Sequence, residues 1–475
     1  MSERRFLDSA RLEMSEFEER PKDPESGAAG EGSVREKGVQ PGLAERAKQA
    51  ADALVRKTTP EERKRAFVIL FMCLLAVGMG QTLVFAVLPP ITRKLGMGEF
   101  ETTMIYSLSA FLWVMTSAFW GRRSDVMGRK PVILIGLLGF AVSTTLFALS
   151  VLFGLWGMVP LAFLFPLLMG TRAIFGTFGS GTMPAAQAYV ADRTTRTERA
   201  SGVAGIGAAF GIGTVVGPGV AAAFSEIHIL APFFAVAVLA FLSALMIWLL
   251  LPERTAPKSS LAEKRANVKL NLMAPNVLPW IIVGVLLSLC QSTTMQLAAF
   301  YFMDVLHLEA EAATQAISIG LLVMALSTIM AQIGLIQRFN LSVQFLLRWG
   351  AVAMILAATM LVVANSLGLL VIGMGLAGLA FGLLRPGLQA GGSLSVSPKE
   401  QGAIAGIIGS TAATGHVINP FVGIPLYQWH HFAPFVMCGV LMVIILGFAV
   451  FHPLMKDLDQ RAEDFEDEEE GIGYH

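Results

Sequence analysis

Two arginines and one histidine interrupt long apolar stretches of this sequence. Arg172 lies about midway along one stretch, Arg385 nearer the end of a second, and His416 within a third. A charge at the centre of a bilayer costs at least about 2.5 kcal/mol on insertion scales, so such a side chain should face a cavity or a partner. A guanidinium can bind an anionic group, and histidine titrates near physiological pH. We therefore interpret Arg172 and Arg385 as substrate-binding residues, and His416 together with Arg172 as proton-coupling residues.

Each of these residues also has a simpler structural explanation. Arg172 can belong to a structural ion pair, and the long side chain of Arg385 can reach the membrane surface. His416 can serve as a neutral hydrogen-bond donor between helices. It lies four residues before Pro420, and we expect Asn419 to pair with the backbone groups that this proline leaves free.

A stripe of polar side chains follows another apolar stretch and contains Gln291 and Gln296, while Gln81 of the first stretch can oppose it. Spacings of three and four residues bring such side chains to one face of a helix. These polar side chains line a cavity that holds water or a ligand, or else they form hydrogen bonds between helices. We interpret Gln81, Gln291 and Gln296 as further substrate-binding residues.

The composition decides which class of protein carries these side chains. The chain has 475 residues, of which 54% are hydrophobic and only 15% charged, and its mean hydropathy is +0.63. Soluble proteins carry about 25% charged residues, so this chain cannot cover a soluble surface of its size. Three cysteines exclude a disulfide scaffold, and 35 basic residues balanced by 35 acidic ones argue against a nucleic-acid partner. The composition indicates a polytopic protein of the lipid bilayer.

Long apolar runs predict the fold class. A helix that spans a bilayer needs about 20 apolar residues, whereas the strands of a membrane barrel show short alternating segments. The runs here are continuous, so we predict an all-α membrane protein with twelve transmembrane helices. The runs cover about residues 66–89, 103–121, 131–152, 159–189, 202–224, 231–251, 278–301, 314–336, 346–364, 367–390, 402–424 and 432–452.

The chain contains an internal repeat. A shift of 202 residues aligns the end of the fourth run and the fifth run with the tenth and eleventh runs. We therefore predict two pseudo-symmetric six-helix bundles, 66–251 and 278–452, joined by a charged cytoplasmic linker, 252–277. Duplicated halves of this kind bind their substrate near the bilayer midplane, between the halves. The aligned identities are Pro184 with Pro386, Gln187 with Gln389, Glu198 with Glu400, Gly207 with Gly409, Gly213 with Gly415, and Pro218 with Pro420.

Basic residues indicate the orientation. Lysine and arginine are concentrated in the loops on the side of the chain termini, and the opposite loops carry only Arg93 and Lys94. The positive-inside rule then predicts that both termini are cytoplasmic, and we expect the inner (plasma) membrane as the location. Residues 1–65 are predicted to be a mostly disordered cytoplasmic tail with one short amphipathic helix at 43–57, and 453–475 an acidic cytoplasmic tail.

Three segments resemble motifs of the major facilitator superfamily. The loop from Gly121 to Lys130 (GRRSDVMGRK) resembles the signature loop of that superfamily, and 172–176 (RAIFG) is similar to its buried-arginine motif. The segment 213–219 (GTVVGPG) is similar to the motif of its exporters, and 188–194 (AYVADRT) to the tetracycline/proton antiporter branch. The resemblance extends over about residues 66–452 and implies a twelve-helix drug/proton antiporter.

The resemblance implies gating roles for the signature loop, which latches the two halves of these proteins in one conformation. The matching positions are Gly121, Asp125, Gly128 and Arg129, although Val126 stands where the pattern has a basic residue. A lone carboxylate can hold neighbouring basic groups or stabilise a helix N-terminus. Anchoring of the basic residues at the membrane surface would explain the same loop.

Gly217 and Pro218 are the other predicted gating residues. Proline removes a helical hydrogen bond and disturbs the preceding turn, and the glycines of the segment permit close helix packing. Together they suggest a kinked, tight contact that can rock. Plain packing of small residues would explain the same pattern.

These features predict a secondary active transporter that exports a small, tetracycline-like organic molecule in exchange for protons by alternating access. No carboxylate lies at the predicted centre of any run, which argues against carboxylate-based coupling and favours neutral, zwitterionic or anionic substrates. The alternative is a uniporter or importer of a small organic anion or nutrient. A channel is less favoured, because it would lack the two-state gating apparatus that the signature loop and the repeat suggest. An intramembrane enzyme is less favoured because the sequence has no H-E-x-x-H motif or paired carboxylates, and no phosphate-binding loop supports primary transport. We expect a monomer without cofactor or metal.

Overall fold

The computed structural model describes residues 59–194, 196–252, 270–339, 341–397 and 400–455. This part of the chain is helical and contains no β-strand. Most of the predicted N-terminal tail with its amphipathic helix, most of the linker and most of the acidic C-terminal tail lie outside the described residues.

Twelve long helices of 19 to 35 residues make up most of the described chain, and each overlaps one of the predicted apolar runs. Eight of the helices contain their run completely, and several of these extend beyond it through charged residues at the membrane surface. The helices are α1 (Pro60–Lys94), α2 (Glu99–Met127), α3 (Arg129–Leu155), α4 (Leu161–Ala191), α5 (Arg196–Ser225), α6 (Ala231–Leu250), α7 (Leu278–Leu306), α8 (Ala310–Ile336), α9 (Val343–Val363), α10 (Leu367–Leu394), α11 (Gln401–Trp429) and α12 (Ala433–Phe451).

Eleven of these helices are long and apolar enough to cross a membrane. The exception is α11, whose 29 residues suffice in length but include many small and polar side chains, among them His416 and Asn419. A helix can carry such residues through a bilayer when they bond to neighbouring helices instead of facing lipid. The polar contacts of α11 described below have this character.

The helix α4 changes its winding shortly after Arg172. Residues Phe175–Gly179 form a π-helical turn between two α-helical parts, Leu161–Ile174 and Thr182–Ala191. Such turns shift the helical register and occur frequently at functional sites. The ring of Phe175, at the start of the turn, packs beside the Arg172 guanidinium.

Consecutive helices run antiparallel, so the bundle has two ends. We call the end where α1 begins and α12 ends the base, and the opposite end the top. Within the first half, extensive packing joins α1 to α5 and α3 to α4, and within the second half the corresponding α7 to α11 and α9 to α10. Between the halves, α2 packs on α11 and α5 on α8, while α1 contacts α7 and α8. These reciprocal contacts follow the predicted duplication, and the fold is the predicted all-α, two-bundle architecture.

Candidate functional site

Arg172 is buried in the interior of the first half and is only 4% exposed. Its guanidinium carbon lies 4.8 Å from the centroid of the Phe175 ring and 5.9 Å from that of Phe147. The Nε atom has no hydrogen-bond partner, and no ion pair within the described residues involves Arg172. Aromatic faces attract a cation but do not neutralise its charge. The buried cation is therefore available to an anionic or strongly polar ligand.

Arg385 and Gln291, two predicted binding residues from different helices, lie in direct contact. Arg385 Nη2 donates to Gln291 Oε1 at 2.6 Å. Arg385 also lines a narrow cleft, partly open to its surroundings, in the base half of the bundle between α7, α10 and α11. Its other walls include Leu287, Ser288, Leu388, Gln389, Ile408 and Gly409. The cleft therefore gives the guanidinium of Arg385 an opening large enough for a small polar group.

His416 and Gln296 also meet, within a buried hydrogen-bond chain between α7 and α11. Thr293 Oγ1 donates to Asn419 Oδ1 at 2.8 Å, and Asn419 Nδ2 donates to Gln296 Oε1 at 2.7 Å. The amide nitrogen of Gln296 then lies 2.9 Å from His416 Nδ1. An amide N–H requires an acceptor, so this arrangement suits a neutral imidazole with its proton on Nε2. His416 thus joins two helices as a neutral group, but its Nδ1 accepts a hydrogen bond, whereas the structural explanation from the sequence had it as a donor.

Two prolines leave carbonyls without their helical donor, and each carbonyl finds a hydroxyl on another helix. Pro218 cannot donate to the carbonyl of Thr214, which accepts from Thr82 Oγ1 at 2.9 Å. Pro420 likewise frees the carbonyl of His416, which accepts from Ser107 Oγ at 2.5 Å. The expectation that Asn419 would serve this carbonyl is wrong, because its side chain is committed to the buried chain described above.

The contact of Ser107 with His416 joins the two halves, and sequence reasoning missed it. A serine in an apolar helix gives no sign of its partner, and these two residues lie 309 positions apart. The ring of Phe85 in α1 stacks on the His416 ring, with centroids 6.0 Å apart. The same carbonyl and ring therefore contact two helices of the other half.

Ion pairs connect the halves at the top. Arg93 Nη1 and Nη2 donate to the two carboxylate oxygens of Asp304 at 2.5 and 3.0 Å, and Nη2 also donates to Glu99 at 3.1 Å. Tyr427 donates to Asp304, and Lys94 pairs with Glu311 of the other half. From the sequence, Arg93 and Lys94 are recognisable only as the basic residues of one loop, without their partners. The network ties α1 to α7 and α8 at the top of the interface.

The predicted signature loop forms its ion pairs at the base, within the first half. Arg129 contacts Asp125 at 2.5 Å and Asp192 at 3.0 Å, and its Nη1 donates to Ser124 Oγ at 2.6 Å. Gly128 separates α2 from α3 with φ 100° and ψ 156°, a conformation that favours glycine. The loop therefore joins α2, α3 and α4 around Arg129.

Of the remaining predicted residues, Gly217 belongs to a tight helix contact. The carbonyl of Gly121 accepts from Ser124 Oγ at 2.7 Å, next to the Arg129 ion pairs. A Cβ atom at Gly217 would lie 2.5 Å from the Met79 carbonyl oxygen, so α5 approaches α1 closely there. A Cβ at Gly121 would meet nothing within 4 Å. The buried Oε1 of Gln81 accepts no hydrogen bond. Within the described ranges, no hydrogen bond or ion pair joins Gln81 or Arg172 to Arg385.

The geometry defines a class of protein. Two sets of membrane-spanning helices joined by ion pairs at the top, with buried arginines and a cleft in the base half, are features typical of membrane transporters. The sequence profile of the Major Facilitator Superfamily matches residues 70–354, more than half of the chain. The protein belongs to this superfamily of transporters and is a multi-pass membrane protein.

Individual relatives agree with this assignment over most of their length. The chain is 28% identical over 413 residues to Multidrug resistance protein 2 of Bacillus subtilis (strain 168), an alignment that covers 83% of this chain and 96% of the relative. It is 25% identical over 397 residues to the Quinolone resistance protein NorA of Staphylococcus aureus (strain MSSA476). This alignment covers 80% of this chain and 96% of the relative. A bacterial homolog of the human lysosomal transporter Spinster, solved in an inward-facing and occupied conformation, shares the fold with a TM-score of 0.61 and 15% sequence identity. The superposition covers 85% of this chain and 98% of that structure.

Proposed function

We propose that the protein exports small organic molecules from the cell in exchange for protons. The observation that carries this proposal is the similarity to multidrug and quinolone resistance proteins over 80% or more of the chain. The two halves, 66–251 and 278–452, would rock against each other around the central residues. No described feature requires a second subunit, so we propose a monomer.

The distribution of charges supports an orientation with the base in the cytoplasm. The loops at the base contain Arg122, Arg129 and Arg193, whereas the basic residues at the top are Arg93 and Lys94. Basic loops remain preferentially on the cytoplasmic side. In the inner membrane of a bacterium, the closed top would then face outward and the Arg385 cleft would lie on the cytoplasmic side, from which an exporter takes its substrate.

Proton coupling would require a group whose protonation changes with the conformation. His416 is such a group, because its Nδ1 faces the Gln296 amide in the present arrangement and can accept a proton only after that amide turns away. Its carbonyl and ring contact the other half through Ser107 and Phe85. Separation of the halves would therefore alter the surroundings of the imidazole.

Everted membrane vesicles with an imposed pH gradient and a fluorescent pH probe test this function. Addition of a tetracycline, a lipophilic cation, an aromatic acid or a sugar should collapse the gradient only for transported compounds, and only when the protein is present. His416→Ala should abolish this response if His416 carries the proton. Absence of a response together with saturable, gradient-independent substrate flux would favour a uniporter.

The central role of Arg172 has its own test. Arg172→Ala should reduce transport strongly, and Arg172→Lys should retain part of the activity, because a lysine preserves the charge but not the planar donor group. Arg348→Gln is the matched control, since Arg348 is a helical arginine whose Nε donates to the Ala449 carbonyl at 3.0 Å, away from the cleft. Normal transport by a folded Arg172→Ala protein would contradict the role assigned to this residue.

A further inference from the structure

The cleft beside Arg385 contains a positive charge without a negative partner. In the described residues, the only hydrogen bond of its guanidinium goes to Gln291 Oε1, which is neutral, and no ion pair includes it. A guanidinium carries five N–H donors, so most of them remain available. An unpaired cation inside a membrane protein is costly unless a ligand or water compensates it.

The surroundings of Arg385 limit the kind of ligand that fits. The Ser288 and Thr411 hydroxyls already donate to backbone carbonyls within the protein. Gln389 is exposed at the wall of the cleft, and the remaining walls are apolar or small, with Leu287 and Leu388 among them. The cleft therefore offers one charged group, one amide and an apolar surface.

We propose that this cleft binds the carboxylate of an amphipathic organic anion or zwitterion. The planar guanidinium matches the two oxygens of a carboxylate, and its hydrogen bond to Gln291 Oε1 holds it in position. The cleft holds the carboxylate itself, and the aromatic or aliphatic body of the ligand extends out of the cleft past its apolar rim. One cation suits a single negative charge, so polyphosphates and other multiply charged anions are excluded from this class.

The two halves differ at this subsite, although they are repeats. Under the shift of 202 residues, Arg385 corresponds to Met183 in α4, so the first half has no arginine at the matching position. The carboxylate would therefore bind to the second half, leaving the body of the ligand free to reach other surfaces. This inference rests on the proposed transport of small organic molecules and names their chemical class.

Direct binding tests the subsite independently of transport. The purified full-length protein in detergent is titrated with 2-naphthoate, its methyl ester and 2-naphthylmethylammonium by calorimetry. We expect the carboxylate to bind at least tenfold more tightly than the ester, and the cation more weakly still. Arg385→Gln should remove the preference for the carboxylate over the ester, and Arg385→Lys should keep part of it because the charge remains.

Two glycines of α11 provide a matched pair for the shape of the cleft. An added Cβ meets nothing within 4 Å at either Gly409 or Gly406, but only Gly409 lines the cleft. Gly409→Val should weaken binding of carboxylate and ester alike by tenfold or more, whereas Gly406→Val should bind both as the parent protein does. Thermal unfolding establishes that each variant is folded.

Several results would overturn the inference. These are equal binding of carboxylate and ester, preference for the ammonium probe, no binding of the carboxylate at millimolar concentration, or an undiminished preference in a folded Arg385→Gln protein. A carboxylate preference that depends on Arg385, without gradient collapse by any compound in vesicles, would refute the proposed proton-coupled export while supporting the subsite.

Discussion

Replacement of Asp304 by asparagine should open the top of the protein. The two carboxylate oxygens of Asp304 accept from Arg93 at 2.5 and 3.0 Å, and these residues belong to different halves. Asparagine keeps the size of the side chain and removes its charge. Arg93 remains paired with Glu99 of its own half at 3.1 Å, so the substitution weakens the contact between the halves without isolating a cation.

The magnitude follows from the partial burial of this pair. The side chains of Arg93 and Asp304 are 33% and 16% exposed. Exposed ion pairs contribute about 0.2–1 kcal/mol, and breaking a buried one costs about 3–5 kcal/mol. A value of about 2 kcal/mol lies between them and agrees with the contribution of hydrogen bonds to charged groups. It corresponds to an approximately 30-fold shift of the equilibrium toward conformations with an open top.

Distances between spin labels measure this equilibrium. Ile227 and Asn365 are exposed positions at the top of the first and second halves, and the three native cysteines, all buried, are replaced before labelling. Double electron–electron resonance should reveal a larger long-distance population in Asp304→Asn. Glu309→Gln is the control, because Glu309 is an exposed carboxylate at the same end that takes part in no ion pair among the described residues.

Two outcomes would refute the reasoning. Identical distance distributions for the parent and Asp304→Asn would mean that the ion pair does not hold the top closed. An equal change in Glu309→Gln would mean that general loss of negative charge, and not the specific pair, is responsible.

The remaining predictions concern single contacts. Gly128→Ala should lower stability by about 1–3 kcal/mol, because φ 100° favours glycine, whereas Gly121→Ala should lower it far less in the same detergent melting assay. Thr82→Val should destabilise the protein by about 1–3 kcal/mol through an unsatisfied buried carbonyl. The matched change Thr145→Val removes a hydroxyl that bonds only within its own helix, so equal melting temperatures for the two valine variants would contradict the argument. Ser107→Ala should shift the equilibrium toward an open top by about 1 kcal/mol, which is roughly a fivefold change in the ratio of the long-distance to the short-distance spin-label population; an unchanged ratio would argue against its role between the halves.

The membrane helices could be predicted because length and hydropathy are local properties. A run of about 20 apolar residues satisfies its backbone hydrogen bonds only as a helix in lipid, whatever its neighbours are. Even the least apolar helix, Gln401–Trp429, was found as a run at 402–424, although its polar residues need other helices as partners. The exact ends of several helices differed, because charged residues beyond the apolar part extend them.

The candidate site was predictable only in part. Arg172, Arg385 and His416 were recognisable because a charged or titratable group is costly inside a membrane. Their partners were not, since Gln291 lies 94 positions from Arg385 and Gln296 lies 120 from His416. Hydropathy gives no information about which polar groups on different helices meet.

The sequence by itself determined that the chain is a duplicated, twelve-helix membrane protein with isolated cations in its apolar segments. The tertiary structure decided what those groups contact: Arg172 faces aromatic rings, Arg385 faces a cleft, and His416 joins a buried hydrogen-bond chain. It also brought Arg93 to Asp304 across the two halves. The physical reason is that helix formation depends on neighbouring residues, whereas these contacts depend on the packing and rotation of helices that are distant in the chain.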